Sequence, residues 1–466
     1  MSTSREQTSG PDRCGFVPPY VLRHLAASRP DGCGPRTLLA DQRLREHREA
    51  LPPGATLRTT ALPAAPEAAA WTVHDAGGLE QLPGTPVRAA GQPATGDPAV
   101  DEAAAGIEAT LRFFAEVHDR ASYDGAGAPA VVTVHFGRDY ANAFWDGTQL
   151  VFGDGDGEVF ERFTKPLDVM AHEFGHALTQ ATAGLVYEGQ PGALNESVSD
   201  VVAACVKQWL AGESAADADW LVGEGLFRPG VQARALRDMA APGTAYDDPR
   251  LGRDPQVGHL DDFVVTTDDN GGVHLNSGIP NRAFVLAARA VGGRTWEGAG
   301  AVWHAALLSG DLGPRTDFAG FAAATVSAAE RVLPDHVETV RAAWRDVGVE
   351  PGRPSTGPAG QGPAATGVVE VRRSGGFAGT RVVARVDLAD LAGDPRGDEL
   401  VRLLTERDVR AEALGAGREA AGGAPQPDRF SYAFVLDGEE VVLPEQALTP
   451  SLQRLAGLVL DLGSTR

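Results

Sequence analysis

Apolar residues recur at helical spacing in some parts of the chain and cluster or alternate as in strands in others. Residues 100–120 place apolar side chains three and four positions apart, which predicts a helix, whereas the β-branched run 128–136 predicts a strand. Residues 166–184 predict another helix, and helical patterns dominate 196–212 and 279–346. The sequence therefore predicts an α+β protein with a mixed N-terminal lobe and a mainly helical lobe after it.

Both ends of the chain differ from this central part in composition and in the periodicity of their apolar residues. Residues 1–60 are rich in Pro, Arg and Gly with one amphipathic patch at 18–27, which indicates an appendage. Residues 351–367 are rich in Pro and Gly and lack periodicity, which indicates a flexible linker. Beyond the linker, strand-like runs, a helical run at 398–414 and an Asp-Gly turn between two apolar runs predict a small α+β module over 368–466.

Charge and composition exclude several classes of function. The 466 residues include 41 Lys and Arg against 63 Asp and Glu, which gives a net charge of −22. Nucleic acids and anionic membranes require a basic surface, so neither is expected as a partner. No apolar run reaches the length of about 18 residues that a membrane span needs, and residues 1–13 lack the apolar core of a signal peptide. We expect synthesis in the cytoplasm, with release by a non-classical route left open.

The strongest chemical signal is HEFGH, which begins at His172. On a helix, positions i and i+4 share one face, so His172 and His176 can direct both imidazoles at one metal ion. Glu173 lies beside them, where it can take a proton from a metal-bound water. Catalytic zinc keeps three protein ligands, and Glu196 supplies a third, while Asp200, one turn further on, can accept the other ring N–H of a zinc-bound histidine. The alternative is a histidine pair on a partly buried helix.

These segments resemble a known family. HEFGHALT, GALNESVSD and DNGGVHLNSGIPN, which contains His274 in a Gly/Asn-rich loop, resemble the zinc-binding, third-ligand and catalytic-histidine segments of the thermolysin-like (M4) metalloendopeptidases. NAFWDGTQLVFGDGDG, residues 142–157, resembles the substrate-binding edge strand of that family. The likeness runs in unbroken order over residues 100–350. It implies a two-lobe peptidase with a β-rich lobe at 61–180, a helical lobe at 181–350, and the zinc helix between them.

The resemblance implies a role for individual catalytic residues. Zn²⁺ would be bound by the two histidines and the glutamate named above, and Glu173 would act as general base. Asp200 would orient His172. Tyr187 and His274 would donate hydrogen bonds to the oxygen of the scissile carbonyl, with Asp269 supporting His274. The implied activity is neutral endopeptidase cleavage of protein or peptide substrates.

The resemblance also implies how the substrate is bound. Asn142 and the backbone of Ala143 would bind the substrate strand, and Arg237 would bind the carbonyl on the primed side. Simple ion pairing is the alternative for Arg237. Cleavage would occur on the amino side of bulky hydrophobic residues, because the pocket for that residue would be apolar. Its lining would be Phe160, Phe163, Val169, Val222 and Leu236, and the alternative for each of these is plain core.

The chain departs from the family at its usual double calcium site. The matching positions are Asp168, Lys207, Asp219, Leu221 and Glu224, so two of the potential oxygen ligands are missing. Ca²⁺ needs six to eight oxygen ligands, and a lysine ammonium repels it. We therefore expect Ca²⁺ binding to be weakened, and the hypothesis is that Lys207 replaces it as a tethered cation that pairs with these carboxylates.

The N-terminal appendage resembles the short propeptide of the protealysin-like branch, through CGFVPPYVLRHLAA with its PPY element. The resemblance implies a zymogen whose N-terminal part, 1–60, covers the cleft and is removed autocatalytically. Three cysteines, Cys14, Cys33 and Cys205, are too few and too scattered for a disulfide framework. Cys14 as a zinc-binding thiolate is one interpretation, and a buried or incidental cysteine is the other.

The C-terminal module resembles emfourin, a small protein inhibitor found alongside protealysin-like peptidases, through VEVRRSGGFAGTRVVARVDL at 369–388. A flexible tether raises the effective concentration to about millimolar, so even a modest inhibitor would occupy the cleft. The implied protein is a monomeric peptidase whose propeptide and C-terminal module are intramolecular partners. Three alternatives stay open: a separate binding module, a catalytically silent zinc-binding protein, and a non-enzymatic interaction protein.

Overall fold

The strand-like runs of the N-terminal half form a mixed five-stranded sheet. A computed structural model describes residues 15–49, 70–352, 368–375, 380–387, 396, 400, 430–436, 439–444 and 447–463. Its first strands are β1 (Trp71–Asp75), β2 (Thr85–Ala89), β3 (Ala130–Val134), β4 (Ala143–Trp145) and β5 (Leu150–Phe152). Their order is β2-β1-β3-β5-β4, with β1 and β5 parallel to β3 and the outer strands antiparallel to their neighbours. Strand β4 is therefore an edge of the sheet.

The helices of the same unit follow the periodic segments of the sequence. They are α1 (Pro19–Ser28), α2 (Cys33–Glu49), α3 (Pro98–His118), α4 (Leu167–Ala181), α5 (Gly189–Ala211), α6 (Asp269–Asn276), α7 (Gly278–Val291), α8 (Ala299–Leu307), α9 (Phe318–Val332) and α10 (Val337–Arg345). Short antiparallel pairs join β6 (Leu221–Val222) to β7 (Arg237–Asp238) and β8 (Asp247–Asp248) to β9 (Gly252–Arg253). No helix in the described part of the chain is both long and apolar enough to cross a membrane.

Helix ends follow from local capping. Helix α3 begins where the Asp97 carboxylate accepts hydrogen bonds from the N–H groups of Ala99 and Val100. Helix α4 begins after Pro166, and beyond its last turn the N–H of Gly184, at φ +60°, returns to the carbonyl of Thr179. Helix α4 is buried along most of its length, which its apolar composition requires.

The N-terminal segment belongs to the same compact unit, Met1–Gly360. Helix α1 lies where the amphipathic patch was predicted and buries Val21, Leu22 and Leu25. The sequence analysis predicted no second helix in this appendage, yet α2 follows directly. Residues Phe16 and Val17, just before α1, are 0% and 1% exposed, so this part of the appendage is integral to the core.

The second compact unit is Gln361–Arg466. Strands β10 (Val368–Gly375), β11 (Thr380–Asp387), β12 (Phe430–Leu436) and β13 (Glu439–Pro444) form an antiparallel sheet in the order β11-β10-β12-β13, and α11 (Pro450–Gly463) follows. Val371, Phe434 and Leu455 lie in its core. The Asp-Gly turn lies outside the described residues, but Leu436 pairs with Glu439 across it. The predicted helical run 398–414 also lies outside the described residues, except for residue 400.

Candidate active site

Helices α4 and α5 approach each other closely because of Gly175, inside the HEFGH segment. A Cβ atom at Gly175 would lie 2.6 Å from the Cα of Ser199 on α5, which real contacts never allow. Glycine is therefore required where the two helix backbones meet. This close contact brings the histidines of α4 opposite the acidic residues of α5.

Three side chains predicted as metal ligands converge in the structure. The candidate ligand atoms of His172, His176 and Glu196 all lie within 4.8 Å of one another, and all three residues are buried. The two histidine Nε2 atoms are 3.0 Å apart, and each lies 3.5 or 3.6 Å from a Glu196 oxygen. A tetrahedron with Zn–N bonds of about 2.0–2.1 Å has edges of about 3.3 Å, so these residues fit zinc.

The hydrogen bonds behind the two histidines fix their tautomers. His172 Nδ1 lies 2.8 Å from Asp200 Oδ1, which only accepts, so Nδ1 donates. His176 Nδ1 lies 2.8 Å from Asn195 Oδ1, whose amide is oriented by donation to the Leu185 carbonyl. When both rings are neutral, their Nε2 lone pairs face each other across 3.0 Å. Such lone pairs repel, and a bound cation removes the repulsion.

Glu173 lies beside this cluster without being part of it. Its carboxylate is fully buried, and neither oxygen has a hydrogen-bond partner of normal geometry among the described residues, although the Trp145 backbone N–H contributes a weak interaction. Burial and the charge of Glu196 raise the pKa of Glu173 well above its usual range. Burial also raises the pKa of Glu196, but the surrounding histidines outweigh burial and hold it far below its usual range. A buried carboxylate next to a histidine pair fits a general base beside a cation.

Helix α6 presents the predicted catalytic histidine. The Gly/Asn-rich sequence predicts a loop around His274, whereas this residue lies on α6 after Asn270, Gly271 and Gly272, which have φ of +52°, +81° and +77°. The Gly/Asn pattern thus produced left-handed residues at the start of a short helix. Asp269 Oδ1 lies 2.6 Å from His274 Nδ1 and a second oxygen accepts the His274 backbone N–H.

Tyr187 and His274 face the same point near Glu196. The Tyr187 hydroxyl donates to Glu196 Oε1 at 2.6 Å and lies 3.2 Å from His274 Nε2. Burial lowers the pKa of His274, but the charges of Asp269 and Glu196 outweigh it and raise this pKa to about 9. A protonated imidazole and a phenol, both donors, therefore border the candidate metal site.

Residues 15–17 of the N-terminal segment lie in this cleft. The N–H of Phe16 donates to the carbonyl of Ala143, on the edge strand β4, at 2.9 Å. Val17 donates to Asn142 Oδ1 at 2.7 Å and accepts from its Nδ2 at 3.3 Å. Arg237 Nη1 donates to the Phe16 carbonyl at 3.1 Å. The residues predicted to bind substrate thus bind the chain's own N-terminal segment.

Arg237 has a second task besides binding Phe16. Its Nε and Nη2 donate to Asp200, at distances between 2.8 and 3.1 Å, and Asn281 Nδ2 donates to the same carboxylate at 2.8 Å. Burial raises the pKa of Asp200, but the Arg237 guanidinium outweighs it and holds this pKa below its usual range. Asp200 therefore stays ionised behind His172.

The predicted pocket residues are all buried in one apolar cluster that also contains Phe16. The tip of the Phe16 ring approaches Gly223, next to Val222, and a Cβ at Gly223 would lie 3.2 Å from both this ring and Leu236. Phe160 and Phe163 pack against each other with ring centroids 5.6 Å apart. Val169 is buried on α4. The Phe16 ring thus lies on the side of Gly223 that Leu236 also approaches.

Lys207 lies among the acidic residues of the weakened calcium site. Its Nζ donates to both oxygens of Asp219, to Glu224 at 2.9 Å and to the Leu221 carbonyl at 3.3 Å. Asp168 is buried, and burial outweighs the attraction of Lys207 to raise its pKa to about 6. An ammonium thus stands within a ring of carboxylates and a carbonyl.

The cysteines lie apart from these features. Burial, with Asp156 nearby, raises the pKa of the Cys33 thiol to about 12, and burial raises that of Cys205 to about 12. Neither thiol is therefore a ready thiolate at neutral pH. Cys14 lies outside the described residues.

Sequence reasoning missed three contributors to this site. Asn195 directly precedes Glu196, and Asn281 lies in the GIPN segment, but nothing local connects either amide to its distant partner. Phe16 belongs to the segment that carries the N-terminal resemblance, but an apolar residue in a Pro-rich segment gives no signal of which surface it contacts.

Comparisons with known proteins agree with this geometry. Residues 79–180 match the thermolysin metallopeptidase catalytic domain and residues 183–349 match its alpha-helical domain. A relative named Extracellular metalloprotease, from Pectobacterium carotovorum subsp. carotovorum, is 47% identical over 348 residues, 72% of this chain and 96% of that protein. The chain belongs to the thermolysin metallopeptidase family. Like the family it is a zinc metallopeptidase, and neither a catalytically silent zinc-binding protein nor a non-enzymatic interaction protein has support.

Two further likenesses refine the place of this chain within the thermolysin family. Protease PrtS of Photorhabdus sp. (strain Az29) is 41% identical over 345 residues, 72% of this chain and 92% of that protein. The solved precursor of protealysin, a metalloproteinase from Serratia proteamaculans, matches with a TM-score of 0.63 and 44% identity over 72% of this chain and 99% of that one. Residues 371–460 match the emfourin family. The chain thus combines a thermolysin-family peptidase with an emfourin domain.

Proposed function

We propose that this metallopeptidase cleaves peptide bonds on the amino side of bulky hydrophobic residues, with Glu173 as general base. The observation that carries the proposal is Phe16, whose backbone is held by Ala143 and Arg237 while its buried ring lies against His172 and next to Gly223. A peptide substrate bound in the same way would present a large apolar side chain to this part of the cleft.

The metal site supports the chemistry. His172, His176 and Glu196 would hold Zn²⁺, which when bound supplies an activated water and polarises the scissile carbonyl. Asp200 and Asn195 hold the two histidines as neutral donors of Nε2 lone pairs. Among the described residues the Glu173 carboxylate makes only a weak interaction with the Trp145 backbone N–H, and the charge of a bound Zn²⁺ would favour its ionised form, so it can take the proton of the attacking water.

The remaining polar groups support stabilisation of negative charge on the substrate oxygen. His274, protonated because Asp269 and Glu196 raise its pKa, donates from Nε2, and Tyr187 lies 3.2 Å from the same nitrogen. Asp269 fixes the ring and balances its charge. Donors placed where charge develops give the largest usual contribution to catalysis.

A pair of internally quenched peptides tests the proposal. The two differ only after the bond to be cut, with Phe in one and Asp in the other. We expect zinc-loaded protein to cleave the Phe peptide at that bond at least about 100-fold faster, because the apolar pocket cannot solvate a carboxylate. A chelator should abolish cleavage and added Zn²⁺ restore it. Equal rates for the two peptides, or chelator-resistant cleavage, would contradict the proposal.

The N-terminal segment acts as an intramolecular inhibitor in this proposal. Residues 15–17 occupy the positions a substrate needs, and α1 anchors them through Val21, Leu22 and Leu25. Access therefore requires displacement or removal of the segment. Replacing Leu22 and Leu25 by Ala should raise peptidase activity at early times, because truncating buried leucines weakens the anchor. Unchanged initial activity with intact N-termini would argue against inhibition by this segment.

The emfourin domain would restrain the enzyme after this removal. Residues 15–17 already fill the cleft in the full chain, so a second inhibitor can bind only once they have left. A matured chain that ends at residue 352 should then be more active than matured full-length protein, because the tethered inhibitor is lost. Equal activity would mean that the domain serves another purpose.

The protein would act outside the cell, as a monomer. A relative bears the name Extracellular metalloprotease, which supports the place of action. Fractionation of the producing cells with antibodies to α9 would find the chain in the medium. Retention in the cytoplasm during exponential growth and stationary phase would contradict export.

A further inference from the structure

The peptide bond between Gly15 and Phe16 lies between the catalytic residues and the substrate-binding residues. On its carbonyl side, the Gly15 oxygen accepts a hydrogen bond from His274 Nε2 at 3.0 Å. On its amine side, the Phe16 N–H donates to the Ala143 carbonyl at 2.9 Å. The bond is therefore held at both ends, with its carbonyl directed at the donor that would stabilise an oxyanion.

The residues that follow the bond fix its register. Phe16 and Val17 occupy two successive positions through Arg237 and through both amide atoms of Asn142. The Phe16 ring also meets the ring of the metal ligand His172 edge to face, with centroids 5.1 Å apart. A shift of the segment by one residue would break these contacts, so the Gly15–Phe16 bond is the one held beside the candidate metal ligands.

We propose that the Gly15–Phe16 bond is an intramolecular cleavage site of this peptidase. The inference rests on the proposed function. Water adds to the Gly15 carbonyl carbon, the bond from this carbon to the Phe16 nitrogen breaks, and the nitrogen receives a proton. The products are a Gly15 carboxylate and a Phe16 amino terminus, and no co-reactant besides water is needed.

Gly15 is itself required for the bound position of this segment. An added Cβ at residue 15 would lie 2.5 Å from Asn142 Nδ2. The Asn142 side chain is 1% exposed and its amide is fixed by two hydrogen bonds to Val17, so it cannot easily move aside. Glycine therefore permits the chain to follow this path past Asn142.

Cleavage here separates the two parts of the appendage. Residues 1–15 lose their covalent link to the segment and dissociate. Phe16 keeps its carbonyl bond to Arg237, and α1 keeps its buried anchors, so the segment from residue 16 onward stays in the cleft as a bound product. This cut therefore precedes release of the remaining inhibitor and does not by itself open the cleft.

Mass spectrometry of intact full-length protein, incubated with Zn²⁺, tests the inference. We expect a released peptide that ends at Gly15 and a chain that begins at Phe16. Because the reaction is intramolecular, its rate constant should stay the same on roughly 100-fold dilution. The Glu173→Gln variant should not cleave. A rate that falls in proportion to concentration would overturn cleavage within one chain.

Three variants test whether cleavage depends on the bound position of Gly15 and Phe16 or only on a flexible N-terminal segment. Gly15→Ala and Phe16→Asp should slow this cut by at least about tenfold, because one collides with Asn142 and the other places a carboxylate in an apolar pocket. Phe16→Leu is the matched control and should cleave within about threefold of the natural chain. Equal cleavage in all three variants would overturn the inference.

Hydrogen exchange gives a readout independent of turnover. In full-length Glu173→Gln protein, the Phe16 and Val17 amides should exchange slowly, because Ala143 and Asn142 accept from them. Rapid exchange of these two amides would show that Phe16 and Val17 are not held in this position. If the protein cleaved casein while the Gly15–Phe16 bond stayed intact, this inference would be wrong and the proposed function would stand. If neither casein nor this bond were cleaved, the inference and the proposed function would both be wrong.

Discussion

Arg237 donates a hydrogen bond from Nη1 to the carbonyl oxygen of Phe16 at 3.1 Å, across 221 residues of sequence. The same guanidinium binds Asp200, which holds His172. One side chain thus connects Phe16 to the candidate metal ligand His172. Its planar, forked geometry is what allows both contacts, and a lysine ammonium cannot make them together.

Replacement of Arg237 by Lys should therefore weaken both peptide cleavage and zinc binding. We expect kcat/KM on the Phe peptide to fall by about 10–100-fold and zinc affinity to fall by about tenfold, because Asp200 loses a two-point partner. Peptide kinetics and zinc titration measure the two effects. Arg234→Lys is the control, since the Arg234 side chain is 55% exposed and donates to Asp238 and Thr244 instead. Equal effects of the two changes would refute this role of Arg237.

Asn195 should tune the metal site through His176. Its Oδ1 accepts from the ring, so Asn195→Ala removes the contact that fixes the tautomer. We expect zinc affinity to fall by about 10–100-fold. Asn195→Asp keeps an acceptor and should retain most of the affinity in a competition titration with a chelator. If Ala and Asp behaved alike, the hydrogen bond would not be what orients His176.

The two lysines of the chain provide a matched pair. Lys207→Met should lower the free energy of unfolding by about 1–3 kcal/mol, because Asp219, Glu224 and buried Asp168 lose their shared cation. Lys165→Met should change it by less than about 0.5 kcal/mol, since the Lys165 side chain is 46% exposed. Urea unfolding at neutral pH measures both.

Calcium separates this interpretation from a residual ion site. With Lys207 in place, added Ca²⁺ should leave the Tm of zinc-loaded protein unchanged, since the ammonium repels the ion. A strong rise in Tm would show that Lys207 does not replace calcium.

His135 should make stability depend on alkaline pH. Its hydrogen bond to Asp154 and the charges of Asp154, Asp97 and Asp75 outweigh burial and raise its pKa to about 9. This folded value lies above the unfolded value of about 6.5, so the stabilisation is complete below that pH and is lost as pH rises through about 9. We expect the effect to be about 1–2 kcal/mol after solvent screening.

Thermal unfolding of natural and His135→Gln proteins at pH 6 and pH 9.5 checks this dependence. The difference in Tm between them should be clear at the lower pH and shrink at the higher one. In an Asp154→Asn background the substitution should matter less at pH 6, because the strongest partner is gone. A difference that grows with pH would contradict the charged state of His135.

Features fixed by short-range spacing were open to prediction. Helix α4, its two histidines and Glu196 follow from helical periodicity and ligand spacing, and the resemblance added Tyr187 and Arg237. The left-handed entry to α6 was predicted only as a loop, because the pattern signals unusual dihedrals without telling where helix resumes.

Contacts between residues far apart in the chain could not be predicted from the sequence. Asn195 and His176 face each other only because Gly175 lets α4 and α5 approach, a packing fact that spacing does not encode. Phe16 contacts β4 through one backbone hydrogen bond, to Ala143, and a backbone contact of this kind leaves no signal in the side-chain pattern. Helix α2 was missed because its charged residues show almost no apolar periodicity.

Zinc content and casein hydrolysis, measured together in natural and Glu173→Gln proteins, test the central claim most directly. We predict about one Zn²⁺ per chain in both proteins, and a loss of at least about 10²-fold in hydrolysis for the variant, because only the proton acceptor has gone. Unchanged hydrolysis in a zinc-loaded Glu173→Gln protein would contradict the account.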